Sequence, residues 1–257
     1  MRSIPAERPP QSRLLHLLYH VVRPDASRYS YVISAAMFQS HIDLYTRLRE
    51  NPDLLWPEIT FDDGHVSNHE IAAPILQSRG VTAQFFITVG WTGIKPGYMG
   101  WNELRALQQA GHRIGAHGWT HTLLTHCSDR ELQTELTHSR QTLEDKLGTS
   151  VTTMSLPGGR YNARVLAACE AAGYTRVYTS IPRAEMLPLG PTVGRLNILG
   201  DMQPEWIAKL LEPGSSVLSS LERRQRMKDA AKSLLGDRLY ERLWAMVNRK
   251  EPEDSAA

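Results

Sequence analysis

The sequence has little cysteine: only Cys127 and Cys169 among its 257 residues. Small secreted domains that lack a large core depend on several disulfides, and two thiols cannot form such a framework. Both cysteines also lie in segments with a helix-like pattern. We therefore expect reduced thiols and a reducing compartment.

Long apolar runs are missing as well. No stretch approaches the roughly 18 uninterrupted apolar residues that a membrane span requires. Near the N-terminus, the apolar segment RLLHLLYHVV is interrupted by His16 and His20 and is preceded by prolines and charges. This differs from the apolar core of a secretory signal. These absences predict a cytoplasmic protein.

Charge of either sign is not in excess, since 29 Lys and Arg stand against 27 Asp and Glu. Nucleic-acid binding usually requires a concentrated basic excess, so we expect no nucleic-acid partner. Basic and apolar residues do combine near the C-terminus, in a helix-like stretch at about residues 220–250. This stretch is either a helix packed on the protein with a solvated basic face, or a helix that touches the inner face of a membrane.

Strand-like and helix-like patterns alternate over most of the chain. Apolar spacing predicts helices at about 35–51, 68–80, 101–111, 129–147 and 162–173, and strands at about 13–22, 58–64, 81–90, 112–118, 151–159 and 175–180. This order predicts an α/β fold, a closed or nearly closed barrel of about seven strands over residues 1–204 with a helical extension over 205–257. An open doubly wound sheet is the alternative.

Polar side chains follow several of the predicted strands. Asp62 and Asp63 come at the end of one, and His117 and His121 at the end of another. The carboxyl ends of parallel strands meet at one face, so these groups are expected to lie together. Two histidines and a carboxylate suit a catalytic zinc site, which usually has three protein ligands and one open position.

The residues around these positions resemble the polysaccharide deacetylases, the NodB-homology group also called carbohydrate esterase family four. TFDDG is similar to the first motif of that family and HGWTH to the second, and the segments between them are similar to the usual family sequence. The resemblance covers about residues 17–199. It implies a distorted, TIM-like (β/α) barrel and metal-dependent removal of N-acetyl groups from amino sugars.

Transferred residue by residue, the resemblance makes Asp63, His117 and His121 the ligands of a divalent cation. Zinc is expected first, with cobalt, nickel and manganese as alternatives. Asp62 becomes the general base, which takes a proton from a water activated by the cation before attack on the acetamide carbonyl. A backbone N–H of the third motif, at Gly158, is expected to hold the oxyanion.

That third motif usually reads R-P-P-Y-G, and here the aligned segment is SLPGG, with Ser155 in place of the arginine. The family's usual partner of the base is therefore missing. Arg160 and Arg195 are the candidates to replace it. An ordinary surface or structural arginine is the alternative for each.

The late L-x-L-x-H motif, which supplies the family's general acid, is also altered, because Gly200 stands at the histidine position. His20, at the end of the first predicted strand, is the best candidate for the acid, with a hydrogen-bonded core histidine as the alternative. His65, directly after the D-D-G turn, is a weaker second candidate.

Substrate contacts are expected from residues in or beside the site loops: Trp119, Tyr161, Arg160 and Arg195. Aromatic faces can stack on sugar rings, although core packing is their commoner role. The leading hypothesis is a metal-dependent N-deacetylase whose partner is an amino-sugar glycan or glycan precursor. The alternatives are an allantoinase-like hydrolase of a non-sugar amide and a catalytically impaired carbohydrate-binding homologue.

Overall fold

The computed structural model describes residues 13–49, 51 and 53–235, with side chains as far as residue 227. The strands of this part of the chain are β1 (Arg13–Tyr19), β2 (Val21–Arg23), β3 (Val32–Ser34), β4 (Trp56–Phe61), β5 (Ala83–Ile87), β6 (Arg113–Ala116), β7 (Thr153–Ser155), β8 (Arg176–Tyr178), β9 (Glu185–Met186), β10 (Thr192–Val193) and β11 (Arg195–Asn197). Its α-helices are α1 (Ala35–Leu48), α2 (Ala73–Ser78), α3 (Trp101–Gln109), α4 (Asp129–Gln133), α5 (Ser139–Leu147), α6 (Ala163–Ala171), α7 (Pro204–Leu211) and α8 (Ser216–Leu235). Strand and helix alternate from β3 to β8, as the sequence predicts.

The main sheet nearly closes on itself. Its neighbouring strands follow the order β10, β8, β7, β6, β5, β4, β1, β11, and all of these pairs are parallel. β10 and β11 lie at opposite ends of this path, but only Gly194 separates them in sequence. One short segment therefore joins both edges of the sheet. The predicted barrel of about seven strands is confirmed, and the open doubly wound alternative is wrong.

The strands are buried on both faces, as parallel barrel strands usually are. On β1, Leu15, Leu17 and Tyr19 belong to the core between the sheet and the surrounding helices. The ring of His16 lies instead 5.5 Å from the ring of Tyr178 on β8. Because β1 and β8 are not neighbours in the sheet, this contact crosses the inside of the barrel. Alternate residues of a strand thus face the barrel interior, which sets the direction of the side chains at the site.

The predicted helix at 129–147 is observed, but a π-helical turn at Thr134–His138 lies between α4 and α5. Ser128 caps the start, where its side chain accepts a hydrogen bond from the N–H of Glu131. Gly148, with φ of 69°, ends it. Apolar spacing over this segment predicts a helix and gives no sign of the π turn.

The segment after the barrel is helical as far as it is described. α7 packs against α1 and buries Ile207, Leu210 and Leu211. None of the helices in residues 13–235 that the structure describes is long and apolar enough to cross a membrane. The C-terminal stretch at about 220–250 lies partly outside the described residues, so its contact with a membrane stays a prediction.

Both cysteines are free thiols in the described structure, and both are buried. Burial raises the pKa of the Cys169 thiol to about 12. The pKa of Cys127 is raised by burial too. Because the thiolate is the reactive form, neither side chain is suited to nucleophilic chemistry at neutral pH.

A directed chain of hydrogen bonds links α1, β1 and the turn before α7. Nε2 of His41 lies 2.8 Å from the carbonyl oxygen of Met202, which can only accept, so this nitrogen carries the ring proton. Nδ1 then accepts from the hydroxyl of Tyr19 at 3.1 Å, and the oxygen of Tyr19 accepts from the hydroxyl of Tyr45 at 2.6 Å. Burial lowers the pKa of His41 to about 4, and the bond to Met202 offsets only part of this. The chain therefore requires a neutral imidazole.

We predict that the free energy of unfolding falls as the pH is lowered from about 6.5 towards 4. Over this range the unfolded His41 binds a proton and the folded one does not, so stability that is present above pH 6.5 is lost as the pH falls towards the folded pKa. The full shift corresponds to about 3 kcal/mol. His112, whose burial lowers its pKa to about 4, contributes in the same direction. Urea unfolding at pH 7.5, 6.0 and 5.0 measures the loss.

Two variants separate the titration from the hydrogen bonds. His41→Asn removes the titrating group and should flatten the pH dependence. Tyr45→Phe removes one hydrogen bond of the same chain, at a loss of about 1 kcal/mol, but should keep the wild-type pH dependence. An unchanged pH dependence in His41→Asn contradicts the assignment.

Candidate functional site

The first predicted site residues follow β4 in a sharp turn. The N–H of Asp62 donates to the carbonyl oxygen of Tyr19 at 3.1 Å, which ties the turn to the end of β1. Asp63 has a φ of 72° and Gly64 a φ of 86°, both in the left-handed region. Aspartate tolerates this conformation better than most side chains. The turn places the two adjacent carboxylates in different surroundings.

Asp62 is buried and paired with Arg195 of β11. The guanidinium donates from Nη1 to Oδ1 at 2.7 Å and from Nη2 to Oδ2 at 2.8 Å. The hydroxyl of Ser155, at the end of β7, donates to Oδ2 at 2.9 Å. Burial raises the pKa of Asp62, but Arg195 and His117 outweigh it and hold the pKa below its ordinary value. The carboxylate is therefore ionised and fixed in direction.

Arg195 has no N–H left for a substrate. Its other contacts are the carbonyl oxygen of Thr179 at 3.1 Å, the hydroxyl of Thr60 at 3.4 Å and the hydroxyl of Ser155 at 2.6 Å. These bonds and the pair to Asp62 occupy all five guanidinium donors. Its side chain is also 0% exposed. Arg195 therefore positions the carboxylate, and the prediction that it contacts substrate is corrected.

Asp63, His117 and His121 converge on one point. Oδ1 of Asp63 lies 3.3 Å from Nε2 of His117 and 3.2 Å from Nε2 of His121. Nδ1 of His117 lies 2.8 Å from the carbonyl oxygen of Ser155, so it carries the ring proton and leaves the Nε2 lone pair towards Asp63. A backbone carbonyl that fixes the tautomer in this way is a common partner of metal-binding histidines.

This group fits a divalent cation. Its three ligand atoms lie within 4.8 Å of one another. Oδ1 of Asp63 is buried and makes no hydrogen bond among the described residues, although an unpaired buried carboxylate oxygen is unfavourable. One carboxylate and two imidazoles are the donor types that zinc prefers, with bonds of about 2.0 to 2.2 Å. A cation between them satisfies the orphaned oxygen.

The electrostatics of the group are those of a proton or cation site. Burial raises the pKa of Asp63, but the adjacent imidazoles of His117 and His121 bring it well below its ordinary value. Burial lowers the pKa of His117, and Asp62 and Asp63 raise it above its ordinary value. Positive charge is thus favoured at this point. A proton and a metal ion compete for it.

His20 lies at the end of β1, beside the carboxylates. Burial lowers its pKa, and the charges of Asp63 and Asp62 act in the opposite direction, so its ring is within electrostatic reach of both. Its Nδ1 is buried and has no hydrogen-bond partner in the described part of the chain. Its ring lies 5.0 Å from that of Tyr31. A hydrogen-bonded core histidine, the alternative for His20, would have a partner for this nitrogen.

His65, the second candidate for the acid, is fixed through its Nδ1, and its role as an acid stays a prediction. Its Nδ1 lies 2.8 Å from Oγ of Ser67 and 3.2 Å from the N–H of the same residue. Its ring packs on Tyr98 with centroids 5.8 Å apart. These contacts tie its ring to the segment that follows the D-D-G turn and to Tyr98.

The altered third motif forms a short turn after β7. Gly158 has a φ of 63°, and a Cβ there would lie 2.7 Å from a methyl carbon of Leu123. Glycine is therefore needed at this position, where the family motif has tyrosine. Arg160 and Tyr161 follow directly and are half-buried. Their roles towards substrate stay predictions, as does the oxyanion role of Gly158.

Trp119 packs inward. Its ring centroid lies 4.2 Å from that of His138 in the π turn, and the side chain rests against the core. The structure therefore favours a role in stapling the loop between His117 and His121. Its predicted contact with sugar is not supported by this packing.

Trp91, Lys95 and Tyr98 form an aromatic lip at the site, and sequence reasoning missed Trp91 and Lys95. The ring of Trp91 lies 5.3 Å from the ring of His121 and 4.6 Å from that of Tyr98. Nζ of Lys95 lies 3.6 Å from the centroid of Trp91, a cation–π contact. The signal that could have identified Trp91 from the sequence was its position, because it lies in the loop after β5, as Asp62 lies in the turn after β4.

The geometry can be compared with known proteins. Residues 57–177 match the family model described as polysaccharide deacetylase. This region of the chain is thus similar to the polysaccharide deacetylase family over a little less than half of the sequence. YxkH of Bacillus subtilis, whose name places it in the same family, is 31% identical over 126 residues, which are 49% of this chain and 45% of that protein.

A further polysaccharide deacetylase relative is PgdA of Listeria monocytogenes, a peptidoglycan-N-acetylglucosamine deacetylase. It is 32% identical over 108 residues, 42% of this chain and 22% of that protein. The chain thus spans less than half the length of either relative. In fold, a Streptococcus pyogenes deacetylase, PplD, solved in complex with acetate, superimposes with a TM-score of 0.71 and 20% identity, over 79% of this chain and 100% of that one. This likeness supports the distorted barrel.

We predict that the Arg195–Asp62 pair is worth far more to stability than an exposed pair. Arg195→Met leaves a buried carboxylate without its partner and should lower the free energy of unfolding by about 3 to 5 kcal/mol. Asp62→Asn combined with Arg195→Met should recover part of this loss, because the unpaired charge is removed. Urea unfolding of the two single variants and the double variant gives the coupling energy.

Arg113→Met is the matched control. Arg113 pairs with Glu58 in the same barrel at 3.1 Å, but its side chain is 58% exposed. Its loss should be about 1 kcal/mol or less. Equal losses in Arg195→Met and Arg113→Met would show that burial of the first pair does not matter.

Proposed function

We propose that this chain is a metal-dependent N-deacetylase that removes acetyl groups from an amino sugar in a glycan or glycan precursor. The observation that carries the proposal is the juxtaposition of an ionised, fixed carboxylate, Asp62, with the convergent group of Asp63, His117 and His121. Nε2 of His117 lies 3.8 Å from Oδ2 of Asp62, so base and ligands border one space. The match of residues 57–177 to the polysaccharide deacetylase family model supports the same reaction.

In this proposal Asp63, His117 and His121 would hold a divalent cation, with zinc first and cobalt, nickel or manganese as alternatives. When bound, such a cation would supply Lewis-acid activation of the acetamide carbonyl and of a water. Asp62 accepts the proton of the attacking water. Arg195 and Ser155 keep the carboxylate ionised and aimed while it does so. This division of roles answers why two adjacent carboxylates are tolerated: one is neutralised by an arginine and the other faces a cation.

The remaining steps fall to residues around the space. The N–H of Gly158, on the turn after β7, is proposed to hold the oxyanion. His20 is proposed to deliver a proton to the leaving amine, since its ring is within electrostatic reach of Asp62 and Asp63 and its Nδ1 is unpaired in the described structure. In the family this proton comes from the histidine of the late motif, and Gly200 stands at that position here. His20 is proposed to take its role.

The substrate class is proposed from the relatives and the aromatic lip. PgdA is named as a peptidoglycan-N-acetylglucosamine deacetylase, and the structure of PplD contains acetate, the product of such a reaction. Trp91 and Tyr98 offer aromatic faces beside His121, which suit the apolar face of a sugar ring. Arg160 and Tyr161, which follow the turn after β7, are proposed to contact the same sugar.

We predict acetate release from N-acetylglucosamine oligosaccharides, lost on chelation and restored by zinc or cobalt. Asp62→Asn should lower kcat by about 100- to 10,000-fold, because the general base is removed while the cation ligands remain. His20→Gln should lower kcat more than it changes KM. Enzymatic detection of acetate over time gives both constants.

Glu58→Gln is the control, since it changes a buried carboxylate on the same strand, β4, four residues before Asp62, and should leave acetate release unchanged. Full activity of Asp62→Asn with metal present would refute the mechanism. Hydrolysis of ureides or imides without acetate release from sugars would favour the non-sugar amide hydrolase. Glycan binding without turnover under any metal would favour the binding homologue.

A further inference from the structure

The loop that joins the two histidines is held in an unusual conformation. Gly118 has a φ of 78° and His121 a φ of 65°, so two of its residues are left-handed. A histidine rarely adopts this conformation without support from its surroundings. The residues between His117 and His121 form no helix or strand of their own. The direction of the His121 ring therefore depends on contacts made by the loop with the rest of the molecule.

Those contacts converge on one buried carboxylate, Glu135, in the π turn Thr134–His138. Its Oε2 accepts from the N–H of Trp119 at 2.6 Å and from the N–H of Thr120 at 3.0 Å. Its Oε1 accepts from the hydroxyl of Thr120 at 2.6 Å. Glu135 is 4% exposed. Two successive backbone N–H groups and a hydroxyl thus hold a single carboxylate.

The approach is close enough to require the glycine. A Cβ on Gly118 would lie 2.8 Å from Oε2 of Glu135, which is too short for a side chain. The positive φ of Gly118 and the position of the carboxylate are therefore parts of one arrangement. Any shift of Glu135 moves the loop directly before His121.

The π turn that carries Glu135 is itself supported. A π turn frees backbone carbonyls from the regular helical pattern. Here the carbonyl oxygen of Glu135 accepts from the hydroxyl of Ser139 at 2.5 Å, and that of Leu136 accepts from the hydroxyl of Tyr174 at 2.9 Å. Ser139 and Tyr174 are both buried. The carboxylate is thus held from behind by fixed side chains.

We propose that Glu135 is a positioning residue that sets the geometry of the cation ligands through the loop between His117 and His121. Among the described residues, the hydrogen bonds of its carboxylate go to Trp119 and Thr120 and not to the proposed cation ligands. The inference rests on the proposed function only for the identity of the cation ligands, Asp63, His117 and His121. Substitution of Glu135 should therefore weaken metal binding beyond what its effect on the stability of the fold explains.

The test is a cobalt titration of the folded full-length protein, followed by visible absorption. Glu135→Gln keeps the shape but replaces one accepting oxygen with an NH₂ group that faces backbone donors. It should weaken cobalt binding by about 10- to 100-fold, the usual effect of removing an outer support of a metal ligand. Urea unfolding of each metal-free variant measures stability separately.

Glu144→Gln is the matched control. Glu144 lies on α5 of the same helical segment and accepts from the N–H of Val151 at 2.9 Å and from Arg140 at 3.1 Å. It fastens a different loop in the same manner, away from the histidines. Its loss should lower stability and leave cobalt affinity unchanged.

Thr120→Val provides a milder change if Glu135→Gln does not fold, because it removes only the hydroxyl contact. It should weaken cobalt binding by a smaller factor. Unchanged cobalt affinity in the folded variants, or no cobalt binding by the wild type, overturns the proposal. If the wild type binds cobalt but releases no acetate, the proposed function is contradicted. The proposed role of Glu135 in metal binding then still stands.

Discussion

The pair of Asp62 and Arg195 is the interaction on which the site depends. A buried carboxylate is tolerated only where a partner neutralises it, and here the partner comes from β11, 133 residues further along the chain. β11 is half of the short segment that joins the two edges of the sheet. The ionised state of Asp62 therefore depends on closure of the barrel. If the closing segment is displaced, the carboxylate loses its charge partner.

The same constraint separates the two carboxylates of the D-D-G turn. Asp62 points into the barrel, where Arg195 and Ser155 occupy it, and the left-handed φ of Asp63 turns the next side chain towards the histidines. Neither carboxylate can take the other's role, since the partners of Asp62 are fixed in the barrel and those of Asp63 in a loop. The chemistry assigned to each follows from the backbone of one turn.

The sequence predicted the barrel and the convergent trio because both depend on local signals. Strand and helix periods alternate visibly, and strand ends at one face bring Asp63, His117 and His121 together. It left Arg195 as one of two candidates, because a three-residue strand gives no usable period and its partner is distant in sequence. The role of Glu135 could not be predicted for a different reason. A π turn inside an apolar repeat leaves the helical pattern of 129–147 unchanged, so the sequence does not show where Glu135 points.

The family-matched region, residues 57–177, holds the cation ligands and Asp62 but neither Arg195 nor His20. In place of the family's arginine, Ser155 gives Asp62 a hydroxyl, and a hydroxyl cannot neutralise a buried charge. The missing charge therefore has to enter from elsewhere in the barrel. β1, which His20 directly follows, lies between β4, which Asp62 directly follows, and β11, which carries Arg195. The base, its charge partner and the proposed acid thus come from three adjacent strands. Arg195, on the strand that closes the barrel, supplies the positive charge that the third motif lacks at Ser155.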